Sequence, residues 1–194
     1  MNFINLSTSY FYYLYDRKFL DLNTRNILAL GYGLAGAAVY IVLQSYLYFV
    51  NPHLATNLWF GLALFALLIL FPGLASYRYR KLLRYISFKE AFGTFFLSLL
   101  VMILLIFAYN TLVLNVLYSE EQLLYLKNLQ TDFNISIMEQ SNAKAADIEE
   151  ARKLSNEMDP AAVSGLFRQS LIKLLLMSII GMLFSLLMKN KATA

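Results

Sequence analysis

"ILALGYGLAGAAVYIVLQSYLYFV", residues 27–50, admits two readings that lead to different folds. Its centre, GYGLAG at 31–36, matches the G-x-G-x-x-G spacing of a dinucleotide-binding loop, which would place the chain among α/β proteins. That loop needs a strand before the first glycine, a helix starting at the glycines, and an acid about 20 residues further on. Here the glycines lie inside a continuous apolar run, no strand-like segment precedes them, and Asn51 stands where the acid should be. At about 1.5 Å per residue the run is long enough to cross a hydrocarbon layer roughly 30 Å thick. Read as a membrane helix, Gly31, Gly33, Ala35, Gly36 and Ala37 form a small-residue seam where a second helix, of this chain or a partner, can approach closely.

Composition supports the membrane reading. The 194 residues are 59% hydrophobic and only 14% charged, against about 25% charged in an ordinary soluble domain. Cysteine is absent, which excludes disulfides, thiolate metal sites and thiol nucleophiles. Three more spans follow the first, at about 54–77, 91–117 and 166–188. Asn51-Pro52-His53 makes a tight turn between the first two, and Pro72 should kink the second. Ser87 and Glu90 have the S-x-x-E spacing of a capping box opening the third, and Asp159-Pro160 reads as the N-cap and first residue of the fourth. The expected fold is an all-α integral membrane protein of four transmembrane helices with a long helical insert before the last.

The segments around the spans divide accordingly. Residues 1–26, with an aromatic run from Tyr10 to Tyr15, read as a cytoplasmic or interfacial N-terminal segment rather than a signal peptide, for no basic residue precedes the apolar part. Residues 27–118 carry three spans and the basic connector 78–90. Residues 119–165 form a polar insert of two short amphipathic helices, marked by Leu123, Leu126 and Leu129 and then Ile148, Ala151, Leu154 and Met158; 166–194 hold the last span and a basic tail. Lys and Arg concentrate at residues 17–25, 78–89 and 189–191, whereas the insert is acidic. By the positive-inside bias both termini are expected on the cytoplasmic side and the insert on the outer side.

The stretch SYRYRKLLRYISFKEAFGTFF, at 76–96, resembles an uncharacterised family of Gram-negative bacteria, domain of unknown function 4199. The resemblance rests on a basic aromatic connector running into the ISFKEAF helix start, a charged helical insert and a last span with a basic end, and covers about residues 25–190. It implies the four-helix membrane layout, a bacterial inner membrane with the insert in the periplasm, and no activity that could be carried onto particular residues. An association of some members with membrane glycosyltransferases gives one reading, an accessory partner of such an enzyme.

No catalytic constellation stands out. His53 is the sole histidine, the span serines have no histidine to activate them, and no calcium-loop spacing occurs, so no catalytic residue, metal or cofactor is expected. Polar residues inside spans are costly and therefore informative. Counting along each helix, Gln44, Asn110, Arg168 and Lys173 all fall in the outer third of the membrane, either as interfacial polarity or as a shallow outward pocket for a lipid phosphate. Arg78, Arg80, Lys81, Arg84 and Lys89, with Tyr77, Tyr79 and Tyr85 between them, make an inner strip suited to topology and to anionic lipid, with nucleic acid not expected. The favoured function is a non-enzymatic scaffold or accessory subunit of a membrane complex, with a protein partner or self-association through its helices. An oligomeric transporter or channel for a small solute or lipid is the alternative, weakened by the lack of an acid at mid-membrane.

Overall fold

The structure is a computed structural model and describes residues 4–83, 85–157 and 159–189, with side chains from Asn23 onward apart from Asn156. Every regular element in these residues is helical. Among the described residues four helices are long and apolar enough to cross a membrane, over Asn23–Phe49, Leu58–Leu83, Phe88–Leu117 and Val163–Met188.

The first span belongs to a longer helix. α1 (Ile4–Phe49) runs without a break from the aromatic N-terminal segment into the membrane stretch, so residues 4–26 are helical and continuous with the span rather than a separate piece. At its far end Asn51-Pro52 ends the helix, and the chain takes a short 3-10 turn over Pro52–Thr56. α2 (Leu58–Leu83) therefore starts later than the expected 54. The side chain of Asn57 caps it, accepting from the Phe60 N–H at 3.0 Å. The helix continues through the buried Pro72 and beyond residue 77, so Arg78, Arg80 and Lys81 ride on its last turns instead of occupying a loop.

α3 (Phe88–Leu112) opens with the capping box read from the sequence: Ser87 Oγ accepts from Glu90 N at 3.3 Å, and Glu90 Oε2 accepts from Ser87 N at 2.7 Å. A π-helical turn over Val113–Leu117 extends the span. A second capping box, Ser119 with Gln122, begins α4 (Glu120–Gln140), which runs on through the TDFNISIMEQ stretch. α4 stops in a Schellman arrangement. Asn142 takes a left-handed φ of 56°, the Ala143 N–H reaches Met138 O at 2.9 Å, and the Asn142 N–H reaches Glu139 O at 3.0 Å. α5 (Ala145–Glu157) packs back on α4, and Thr131 Oγ1 hydrogen-bonds Ser155 Oγ between them. α6 (Val163–Met188) starts at Ala162, not at Asp159. Asp159 instead closes the preceding turn, its Oδ1 accepting from Ala161 N at 2.9 Å.

α3 is the central helix, packing against α1, α2 and α6; α2 also meets α1 and α6, while α1 and α6 stand at opposite corners. Phe95, Leu99 and Met102 on α3 are wholly buried with Ala37 and Tyr40 of α1, Leu68 of α2 and Met177 of α6. A smaller cluster of Tyr79, Ile86 and Ala91 seals the basic end, where Ser76 Oγ donates to Ala91 O at 2.9 Å. At the opposite end, next to the insert, Leu126 of α4 joins Leu114, Ala161 and Leu166.

The small-residue seam on α1 is real on one face only. A Cβ at Gly33 would lie 2.7 Å from Ser98 O, and one at Gly36 would lie 2.8 Å from the Phe71 ring. Gly33, Gly36 and Ala37 thus let α2 and α3 close on α1. Gly31 and Ala35 are exposed, and a Cβ at Gly31 would meet nothing within 4 Å. Two residues of helix turn the side chain by about 200°, so alternate positions in the motif cannot share a face. These two do not belong to the seam within this chain.

Candidate functional site

At the insert end the apolar packing gives way to a cavity of about 810 Å³. Its volume lies within the range of small-molecule sites, about 300–1,000 Å³. One wall comes from α1 and α3, with Gln44, Tyr48 and Asn110; the facing wall comes from α6, with Arg168, Gln169 and Lys173. The roof is the insert, where α4 contributes Lys127, Gln130, Thr131 and Asn134, and α5 contributes Leu154 and Ser155. All four residues singled out in the outer membrane third, Gln44, Asn110, Arg168 and Lys173, line this one cavity.

The α1–α3 wall is held by aromatic and polar contacts. Ser45 Oγ and Tyr109 OH are 2.6 Å apart, and Tyr118 OH donates to the Tyr48 carbonyl at 2.6 Å. The Tyr48 and Tyr118 rings meet edge to face with centroids 5.6 Å apart. Burial, reinforced by the neighbouring Tyr109, raises the Tyr118 phenol above its ordinary pKa, so it remains a neutral donor across the physiological range. Along the wall runs a relay in which Gln44 Nε2 donates to Tyr48 OH at 3.2 Å and Tyr48 OH donates to Asn110 Oδ1 at 3.3 Å. Gln44 is 8% exposed, and its Oε1 is buried without a hydrogen-bond partner. An orphaned buried acceptor of this kind costs about 1–3 kcal/mol.

Three cations (Lys127, Arg168 and Lys173) and one carboxylate line the cavity, and that carboxylate, Asp159, is already engaged by Ala161 N. The lining therefore has more cationic than anionic side chains. That balance suits an anion better than a cation. The roof is docked by a contact outside the cavity, where Tyr125 OH and His53 Nε2 are 3.1 Å apart with their rings edge to face. His53, the sole histidine, thus ties α4 to the 52–56 turn. Asn115 Nδ2 makes a further tie, donating to Ala161 O at 3.0 Å.

At the basic end Arg78, Lys81 and Lys89 are exposed, whereas Arg80 turns toward α6 with Nη1 3.7 Å from Met188 Sδ. Arg84 lies outside the described residues. Tyr77 and Tyr85 are surface residues, but Tyr79 is only 1% exposed and belongs to the core, a correction to the interleaved strip. Its position one turn from Ala75 and Ser76, both buried, puts it on the inward face of α2. The span hydroxyls Ser178 and Ser185 bond their own helix, to Leu174 O and Gly181 O at 2.6 Å each. Tyr48 was missed in the sequence. Its one signal, four residues from Gln44 and so on the same helix face, has meaning only once Asn110 is known to stand opposite.

Residues 31–190 match the family described as Protein of unknown function (DUF4199), and the chain belongs to that family. No curated protein and no solved structure matches it.

Proposed function

We propose that this member of the family is a non-enzymatic accessory protein of the bacterial inner membrane that holds a phosphate-bearing lipid headgroup in the cavity between its spans and its insert. The reading rests on one observation: polar and cationic residues from α1, α3 and α6, each expensive to place in a span, face a single cavity roofed by the insert. A site that evolved for packing alone would be filled with apolar side chains, as the bundle interior is. The cationic lining suits a phosphate, and the location at the end of the spans suits a headgroup whose chains remain in the bilayer. Basic residues at the opposite end favour cytoplasmic termini and a periplasmic insert. The acidic, exposed surface of α5 leaves the insert free to meet a protein partner while its inner face closes the cavity.

Native mass spectrometry of protein released from its own membranes tests the reading. Wild type retains a phosphate-bearing lipid, and the double variant Lys173→Leu, Arg168→Gln loses it. Retention unchanged in the double variant overturns the assignment. Crosslinking from the same membranes identifies the partner that the accessory role requires.

A further inference from the structure

The cavity carries more information than its charge. Tyr48 OH has a single proton, so it can donate to only one of the two amides beside it and must accept from the other. In the sense shown, Gln44 Nε2 donates to Tyr48 and Tyr48 donates to Asn110 Oδ1, which leaves Gln44 Oε1 as an acceptor and Asn110 Nδ2 as a donor. Amide orientations are interchangeable, but turning both amides over only exchanges the roles. Either way, the two amides are left with one unpaired acceptor and at least one unpaired donor beside the cavity that both residues line. Gln44 Oε1 shows the consequence directly, as a buried oxygen with no partner in a residue 92% shielded from solvent.

A hydroxyl answers both groups at once, because it carries one O–H donor and two lone pairs. An ammonium answers only the acceptor, and a phosphate oxygen answers only the donor. Arg168 and Lys173 stand on the opposite wall and suit the phosphate. The cavity, at about 810 Å³, has room for both groups in one ligand. We propose that the site recognises a polyol phosphate, with the phosphate held by Arg168 and Lys173 and a hydroxyl of the polyol held between Gln44 and Asn110 through the Tyr48 relay. This rests on the reading of the cavity as a phosphate site and adds the chemical class of the group attached to that phosphate.

Nanodiscs of neutral phosphatidylcholine doped with one test lipid separate the two claims. Phosphatidylglycerol carries a polyol phosphodiester, while phosphatidylethanol has the same single charge and no hydroxyl. Wild-type protein should retain phosphatidylglycerol over phosphatidylethanol by about tenfold, the worth of one to two hydrogen bonds. Tyr48→Phe and Gln44→Leu should bring that ratio close to one while both lipids are still retained over phosphatidylcholine. Lys173→Leu with Arg168→Gln should lose both. Equal retention of the two anionic lipids by wild type overturns the polyol assignment and leaves the phosphate reading standing. Retention of neither overturns both. Added glycerol 3-phosphate distinguishes the source of the ligand: displacement at millimolar concentration assigns the polyol phosphate to a soluble molecule, and resistance assigns it to a lipid headgroup. A Tyr48→Phe protein that keeps the full preference also overturns the proposal, and as the most conservative variant it removes misfolding as an explanation.

Discussion

The two halves of the bundle solve the same packing problem in opposite ways. From the middle of the bundle toward the basic end, Phe95, Leu99, Met102 and Met177 are buried, and glycines at 36 and 181 bring backbones close enough for aromatic rings to lie on them. In the half toward the insert, the same helices present Gln44, Asn110, Arg168 and Lys173 to an open volume and leave Gln44 Oε1 without a partner. Lipid offers no hydrophobic drive between helices, so close packing is what holds the first half together. The second half forgoes that packing, and polar residues that would weaken a bundle become reasonable if they serve a ligand. On the proposed reading, packing is concentrated at one end and ligand binding at the other, in keeping with the usual trade between stability and function.

Mutations that reverse the roles of the two halves test this contrast. Phe95→Ala should have the largest effect, lowering stability by about 3–5 kcal/mol in a detergent unfolding titration, because the ring is fully buried on the central helix. Gly36→Val should cost about 1–3 kcal/mol by overpacking against Phe71 and Met102, whereas Gly31→Ala on the outward face should be neutral in the same assay. Ser87→Ala removes one side of the capping box at the start of α3 and should cost about 1 kcal/mol. At the insert end the sign should change. Gln44→Leu removes a buried orphan acceptor and should leave the ligand-free protein unchanged or more stable by up to about 1 kcal/mol, while the preference for phosphatidylglycerol over phosphatidylethanol is lost. Strong destabilisation by Gln44→Leu would mean that the two halves are packed alike. Tyr125→Phe should have the smallest effect, loosening α4 from the 52–56 turn by about 0.5–1 kcal/mol, visible as faster hydrogen exchange confined to the insert.

Much of the architecture was legible because a bilayer imposes a simple rule: a span must be long, apolar and helical. The α3 capping box was legible for a similar reason, since Ser87 and Glu90 act over one turn and need no distant partner. Boundaries failed where local signals competed. Asp159-Pro160 looked like a helix start, but Asp159 uses its carboxylate on the turn before α6, and the helix waits until Val163. The start of α2 failed because Asn57, the capping residue, lies inside a sequence that reads as continuous membrane helix. GYGLAG could be removed from the dinucleotide class by its context, yet which of its small residues face another helix depended on the rotation of α1 within the bundle.

The sequence by itself determined that this is a helical protein of membrane-spanning segments, and that polar residues gather toward one end of three of them. Hydropathy and rise per residue are properties of single helices, so they can be read along the chain. Only the tertiary structure decided that Gln44, Asn110, Arg168 and Lys173 share one cavity, that Tyr48 connects two of them, and that the insert helps to line it. Convergence depends on how helices far apart in sequence are rotated and paired, which is a matter of contacts such as those of Phe95 with Gly181 and Met102 with Gly36.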